Sequence, residues 1–265
     1  MKHGHCPNIV KCCLCINMIR NYTEEAHKRI AFIRETLSNA GATGVVYGNS
    51  GGKDSALVGI LCKMACENTV GLIMPCGSRR NYNEDKTDAQ EVARQFNIST
   101  RIVDLSDLKQ QYVDILGKQT NLTELATKNL APRIRMMTLY AIAASENRLV
   151  SGTGNRSEGY MGYFTKWGDG ACDFNPIGDL TVTEIYEFLR YLGAPAAILT
   201  KAPSAGLFDG QTDEQEMGIT YKAIDTFLLE GIASEADKVI MERFHGLSEH
   251  KRELPCQYKC DNITF

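Results

Sequence analysis

Residues 48–55 read Gly-Asn-Ser-Gly-Gly-Lys-Asp-Ser, between an apolar run that ends at Tyr47 and another from Ala56 to Cys62. The adjacent Gly51 and Gly52 let a backbone turn tightly and approach a ligand with no Cβ in the way. If a helix follows, its first N–H groups carry partial positive charge, and such an end holds phosphate. Gly48 opens the stretch, Ser50 and Ser55 add hydroxyl donors, and Lys53 adds a cation. Asp54 conflicts with a bare phosphate, and a magnesium ion between the two removes the conflict. The stretch therefore predicts a metal–nucleotide site. It differs from the G-x-x-x-x-G-K-[ST] loop of kinases and GTPases, because its glycines are adjacent and an aspartate follows the lysine.

The elements that must position this loop are legible as hydrophobic period. Tyr22 to Asn39 is an amphipathic helix, with Ala26, Ile30, Ile33 and Leu37 at helical spacing. Strand-like runs follow at Gly44 to Tyr47, Thr69 to Met74, Thr100 to Val103 and Arg148 to Ser151. Helical patterns separate them at Ser55 to Glu67, Asp85 to Phe96, Leu105 to Leu116 and Asn121 to Ala144. Strands alternating with such helices predict βαβ units, and hence a doubly wound α/β domain: a parallel sheet with helices on both faces. Ligands of such sheets bind at the carboxyl ends of the strands, so the loops after Tyr47, Met74, Val103 and Ser151 are the expected places for chemistry. Gly152 to Pro176 is long, without clear periodicity and rich in Gly, Asp and aromatics, which marks a functional loop. Helical patterns return at Thr183 to Leu192, Ile219 to Leu229 and Ser234 to Gly246, with an irregular piece at Lys201 to Asp213.

The chain has 265 residues, 43% of them hydrophobic, enough for one full core. A formal charge of -3 gives no reason to expect a nucleic-acid partner. No apolar run approaches the roughly 18 residues that span a bilayer, and the start lacks the apolar centre of a signal peptide. The cytoplasm is the expected location. Ten cysteines are many, but a reducing compartment argues against a disulfide framework. Cys62, Cys66, Cys76 and Cys172 read as small buried hydrophobes. Cys6, Cys12, Cys13 and Cys15 crowd the start beside His3 and His5, and Cys256 and Cys260 lie near the end. A zinc or iron–sulfur site is one reading of these, although neither end carries the two C-x2-C pairs that make a zinc reading strong.

The Ser-Gly-Gly-Lys-Asp-Ser loop resembles that of the ATP pyrophosphatase superfamily, whose members cleave ATP between its α and β phosphates, usually by adenylating a substrate oxygen. Four further segments narrow the resemblance: NLAPRIRMMTLY at 129–140, with Arg133 and Arg135; GTGNRSEGYMGYFTKWGDGACDFN at 152–175; KAPSAGLFDGQTDEQEM at 201–217; and EHKRELP at 249–255. In this order they resemble NAD synthetases of the short, ammonia-dependent form over roughly residues 22–255. The resemblance implies a Rossmann-like domain at 22–255, between a cysteine-rich extension at 1–21 and a tail at 256–265. It implies that ATP adenylates the nicotinate carboxylate of deamido-NAD and that ammonia then displaces AMP. It also implies magnesium as cofactor and a homodimer. Carried over by motif, Gly48 and Ser50 to Ser55 hold the ATP phosphates, with Lys53, Asp54 and Glu158 as the catalytic group and Asp54 and Glu158 as magnesium ligands. Thr153, Ser204 and Arg79 match or neighbour ATP-contacting positions; Arg133, Lys166, Asp173, His250 and Lys251 match deamido-NAD contacts. Cations suit a dinucleotide pyrophosphate and a carboxylate, and Tyr163, Phe164 and Trp167 suit ring stacking, with core packing as their alternative.

Two features depart from the family pattern. The helix after the long loop usually begins with a lysine that reaches an ATP phosphate, and Val182 stands there. Lys53, Lys201 or Arg79 are the candidate substitutes, weaker ATP binding being the other outcome. The loop at 76–90 is longer and more basic than expected, with Arg79 and Arg80 either contacting ATP or lying on the surface. Two rival functions follow: a tRNA-thiolating ATP pyrophosphatase, which the surplus cysteines suit, and a nucleotide sensor without catalysis, which Val182 suits. The acidic balance weighs against the first, and the retained Asp54 and Glu158 against the second.

Overall fold

Four short strands, β1 (Gly44–Gly48), β2 (Thr69–Ile73), β3 (Ser99–Ile102) and β4 (Arg148–Ser151), pair in parallel in the order β3-β2-β1-β4. The computed structural model describes residues 20–77, 84–200 and 213–258. The sequence-based expectations for His3, His5, Cys6, Cys12, Cys13, Cys15, Arg79, Arg80, Lys201, Ser204 and Cys260 lie outside the described residues. The doubly wound α/β reading holds. The chain steps outward from β1 to β2 and β3, then returns to the other side of β1 with β4. β1 and β4 therefore flank the point where strand order reverses, the position at which open α/β sheets bind ligands.

Helices cover both faces. On one face α1 (Tyr22–Ala40), α2 (Lys53–Ala65), α3 (Glu84–Gln95) and α8 (Val182–Leu192) enclose a core of Ile33, Leu57, Leu61, Val92, Ile185 and Phe188. α1 starts at an Asn21 cap, whose side chain accepts from the Glu24 N–H, and ends at Gly41 in the left-handed region. α2 is buried nearly all round, since it lies between the sheet, α1 and α8, and this explains its unbroken apolar run. Tyr47 of β1 is wholly buried under α2, its ring filling space left by Gly59 and Gly71. A Cβ at Gly59 would lie 2.2 Å from the Tyr47 hydroxyl oxygen. On the other face Val46, Leu72 and Val150 pack against Ile134 and Ala143 of α6 (Leu130–Glu146). Outside the sheet, α7 (Arg156–Met161), α10 (Asp213–Met217), α11 (Tyr221–Glu230) and α12 (Glu235–Leu247) share a third apolar cluster. α4 (Ser106–Gly117), α5 (Glu124–Lys128), α9 (Ala196–Thr200) and α13 (Glu249–Arg252) complete the described helices.

Three expectations are corrected. The helix expected from Asn121 to Ala144 is two, α5 and α6, separated at Asn129. Pro132 is the cause: its ring would clash with the carbonyl four residues back, so it is tolerated only in the first turn of a new helix. The stretch from Gly152 to Pro176 is not all loop, because α7 lies inside it. Of the cysteines read as buried, Cys62 and Cys76 are, whereas Cys66 and Cys172 are only partly so. Among the described residues, no helix is long and apolar enough to cross a membrane.

Candidate active site at the β1–β4 switch point

The loop after β1 is built to leave room. Gly51 has φ +72°, and a Cβ there would lie 2.1 Å from the Asp85 carbonyl oxygen, so only glycine fits. Asn49 is buried and its amide donates to the Ala89 carbonyl at 3.2 Å, tying the loop to α3. The Gly52 N–H donates to Ser50 Oγ, and the Ser50 and Ser55 hydroxyls lie 3.1 Å apart. Gly52 is the N-cap of α2 and has no side chain to cap it, so the positive end of the helix faces the loop.

Lys53 and Asp54 turn inward. Lys53 is only 6% exposed; its ammonium donates to Asp54 Oδ2 at 2.8 Å and lies 5.6 Å from the centroid of the Tyr221 ring. Burial alone would lower its pKa, but the charges of Asp54 and Glu158 outweigh this and raise it, so it stays protonated. The other Asp54 oxygen, Oδ1, accepts from Asn155 Nδ2 at 3.0 Å.

Asn155 joins the two halves of the site. It is the N-cap of α7, accepting from the Glu158 N–H at 2.9 Å while Glu158 Oε2 accepts from the Asn155 N–H at 3.1 Å. This capping box fixes Glu158 beside the residue that holds Asp54. Burial first, then the facing charge of Asp54, push the Glu158 carboxyl well above the usual carboxylate range, with Lys53 opposing them. Two carboxylates linked through Asn155 offer the oxygen donors that a hard divalent cation takes. Among the described residues no group of three or more His, Cys, Asp or Glu could hold a metal unaided. This too fits magnesium, which takes one or two carboxylates and completes its shell from phosphates and water.

α7 is anchored from below. Ser157 Oγ donates to Asp225 Oδ1 at 2.5 Å and accepts from the Val182 N–H at 3.3 Å; the Thr183 N–H and Oγ1 both donate to Asp225 Oδ2 at 2.7 Å. Asp225 thus ties α7 and the start of α8 to α11. Val182 is buried in the same apolar cluster as Tyr221, the ring over which Lys53 lies. Thr153, partly buried, sits in the loop between β4 and α7. That loop is pinned by Gly152 N–H donating to the Phe174 carbonyl and by Asn175 Nδ2 donating to the Gly154 carbonyl.

A second group gathers around 162–169. Arg133, exposed near the start of α6, donates through Nε and Nη2 to the Lys166 carbonyl at 3.4 Å. Lys166 Nζ donates to the His250 carbonyl, and Lys251 Nζ to the carbonyls of Gly162 and Phe164 at 2.8 and 2.9 Å. Burial lowers the Lys251 pKa. Arg133, Lys166, His250 and Lys251, 118 residues apart at the extremes, are thus brought together. Asp173 has other partners: its carboxylate accepts from the Val150 N–H at 2.7 Å and the Tyr140 hydroxyl at 3.3 Å, at the edge of β4. Of the aromatics, Trp167 is 51% exposed with φ +59°, which excludes a core role; Tyr163 and Phe164 are half-buried.

Asn155, Ser157, Tyr221 and Asp225 were not singled out from the sequence. The Asn-x-x-Glu spacing at 155–158 is a capping-box signature and was available; nothing local marks Tyr221 or Asp225.

Residues 25–255 match the NAD synthase family. An NH(3)-dependent NAD(+) synthetase of Carboxydothermus hydrogenoformans is 48% identical over 238 residues, covering 89% of this chain and 97% of the relative. Among solved structures, the NMN synthetase of Francisella tularensis is 37% identical with a TM-score of 0.85, covering 91% of this chain and 100% of its own. The NH3-dependent NAD synthetase of Campylobacter jejuni is 33% identical with a TM-score of 0.73, at the same coverage.

Proposed function

Because the chain belongs to the NAD synthase family, we propose that its β1–β4 switch point adenylates a nicotinate carboxylate with ATP and passes the product to ammonia. It is an ATP-dependent carbon–nitrogen ligase that forms NAD. A carboxylate is a poor electrophile. Attack of one nicotinate oxygen on the α phosphorus of ATP breaks the bond to pyrophosphate and leaves that oxygen bridging the carbonyl carbon and AMP, which makes AMP a leaving group. Ammonia then adds to the carbonyl carbon, sheds a proton, and AMP departs with the bridging oxygen. The chain's part is positioning and charge stabilisation.

The residues divide as follows. The Ser50–Ser55 loop and the start of α2 cradle the ATP phosphates, with Thr153 on the facing loop. Asp54 and Glu158 would hold magnesium, which when bound offsets the negative charge of the phosphates. Asn155 holds both carboxylates in register. Arg133, Lys166, His250 and Lys251 receive the nicotinate nucleotide, Arg133 and the lysines offering cations to its phosphates and carboxylate. Asp173, the fifth contact the motifs imply, is bonded instead to the Val150 N–H and the Tyr140 hydroxyl. The observation that carries this reading is the single side chain of Asn155 joining Asp54 to the cap of Glu158.

One observation favours a second reading, amidation of nicotinate mononucleotide to NMN: the Francisella relative, with its TM-score of 0.85, is an NMN synthetase. Purified protein given ATP, magnesium and ammonium with either deamido-NAD or nicotinate mononucleotide separates the two. A kcat/KM at least about tenfold higher for deamido-NAD is expected, corresponding to about 1.4 kcal/mol of discrimination. The reverse ratio establishes the mononucleotide reading, and no AMP with either sinks both.

The homodimer is proposed on an exposed apolar face. α4 has no buried residue, and Leu108, Tyr112 and Ile115 recur along one side of it with exposures of 42%, 43% and 60%. Ile102 at the sheet edge, Leu125 of α5 and Met137 of α6 are also exposed. Such a face is more apolar than a solvated surface requires. Light scattering is expected to give twice the 29.4 kDa of the chain, and Ile115→Asp to return it to the single mass. A monomeric unsubstituted protein refutes this.

A further inference from the structure

Both carboxylate oxygens of Asp54 are engaged. Oδ1 accepts from Asn155 and Oδ2 from the Lys53 ammonium. Lys53 is the first residue of α2, so its stem leaves from the phosphate loop itself; yet the side chain folds back, over Tyr221, into a position 6% exposed. There it lies in the joint field of Asp54 and Glu158, the two charges a divalent cation would also seek. An ammonium and a divalent cation at one carboxylate oxygen repel, the more so where the surroundings screen poorly. The two occupants therefore exclude each other. A displaced Lys53 has an evident destination, because its Cα is already at the turn that cradles phosphate. The first residue of α8 offers no competing cation there: Val182 is buried among Met161, Ile219, Ile224 and Tyr221.

We propose that Lys53 is a stand-in counter-ion: its ammonium holds Asp54 while the metal is away, and the arriving divalent cation expels it toward the nucleotide phosphates. This rests on the magnesium assignment made for Asp54 above. It gives Lys53 two opposed effects, one against the metal and one for ATP, which a merely structural or a merely phosphate-binding lysine would not have.

The test uses Mn2+ as probe, with free Mn2+ counted by electron paramagnetic resonance on nucleotide-free protein, beside steady-state kinetics. Lys53→Met is expected to bind Mn2+ about tenfold more tightly and to raise the KM for ATP about tenfold. Lys53→Gln, which keeps a polar end, should move both quantities in the same directions, so a folding defect in one variant does not decide the matter; melting curves identify it. Mn2+ affinity unchanged or weakened in both variants overturns the proposal, as does an unchanged KM for ATP. Mn2+ binding that survives Asp54→Asn refutes the ligand assignment itself and so distinguishes that failure from a wrong role for Lys53.

Discussion

Asp54→Ala is expected to lower the rate of NAD formation by about 10^3-fold or more, by removing a proposed ligand of the cation that would offset phosphate charge. Two further losses accompany it. The Lys53 ammonium loses its 2.8 Å partner and keeps the charge of Glu158 and the Tyr221 ring, and the Asn155 amide loses its acceptor. A buried cation stripped of its partner is costly, so the melting temperature should fall. Asp54→Asn separates the effects: it keeps the shape and an acceptor for Asn155 while removing the charge, and should be nearly as inactive but more stable than the alanine variant. Counting AMP and NAD by chromatography, with circular dichroism as the control of fold, checks both. A variant retaining a tenth of the activity would remove Asp54 from the catalytic group.

Asp225→Ala should destabilise the fold by about 3 kcal/mol, because Asp225 accepts three hydrogen bonds from Ser157 and Thr183 in a buried site, and truncation leaves those donors unpaired. Since Ser157 precedes Glu158, kcat should drop more than KM rises. The same residue gives a pH signature. Burial raises the Asp225 pKa above its ordinary value, with the Ser157 and Thr183 hydrogen bonds opposing the rise. A carboxyl whose pKa is raised on folding binds more protons in the native state than in the unfolded chain. Stability from this group is therefore present below the ordinary aspartate value of about 3.9 and is lost as pH rises above it. Urea unfolding between pH 4 and 7 should show a steeper decline for the unsubstituted protein than for Asp225→Asn, which has no acid to ionise there. Parallel curves, or a loss below about 1 kcal/mol for the alanine variant, would show that Asp225 is no anchor.

What could be read from the sequence is what local pattern determines. The four strands lie within a residue or so of their periodic runs, and the Gly51–Gly52 turn sits between β1 and α2 as the residue types demand. Where the reading failed, a competing effect was at work. Pro132 looked like part of one long helix because the apolar period runs through it, although its ring forbids the turn before it. α7 was hidden because six residues are too few to show a period; only its cap, Asn155 with Glu158, marks it. Lys53 reads as a cation for phosphate from its motif. That it folds back onto Asp54 depends on Tyr221, 168 positions further along, and no local rule reaches that far. Arg133, Lys166 and Lys251 converge for the same tertiary reason, and only the family motifs gave them a shared purpose.

The fit of the Tyr47 ring into the gaps at Gly59 and Gly71 has a mechanical corollary. It works as a bolt through three elements: β1 cannot slide along β2 or beneath α2 without driving the phenol into a backbone. The turn proposed to receive ATP is thus a fixed jaw. Its counterpart across the site, the start of α7, is held no less firmly, since Asp225 bonds to both Ser157 and Thr183.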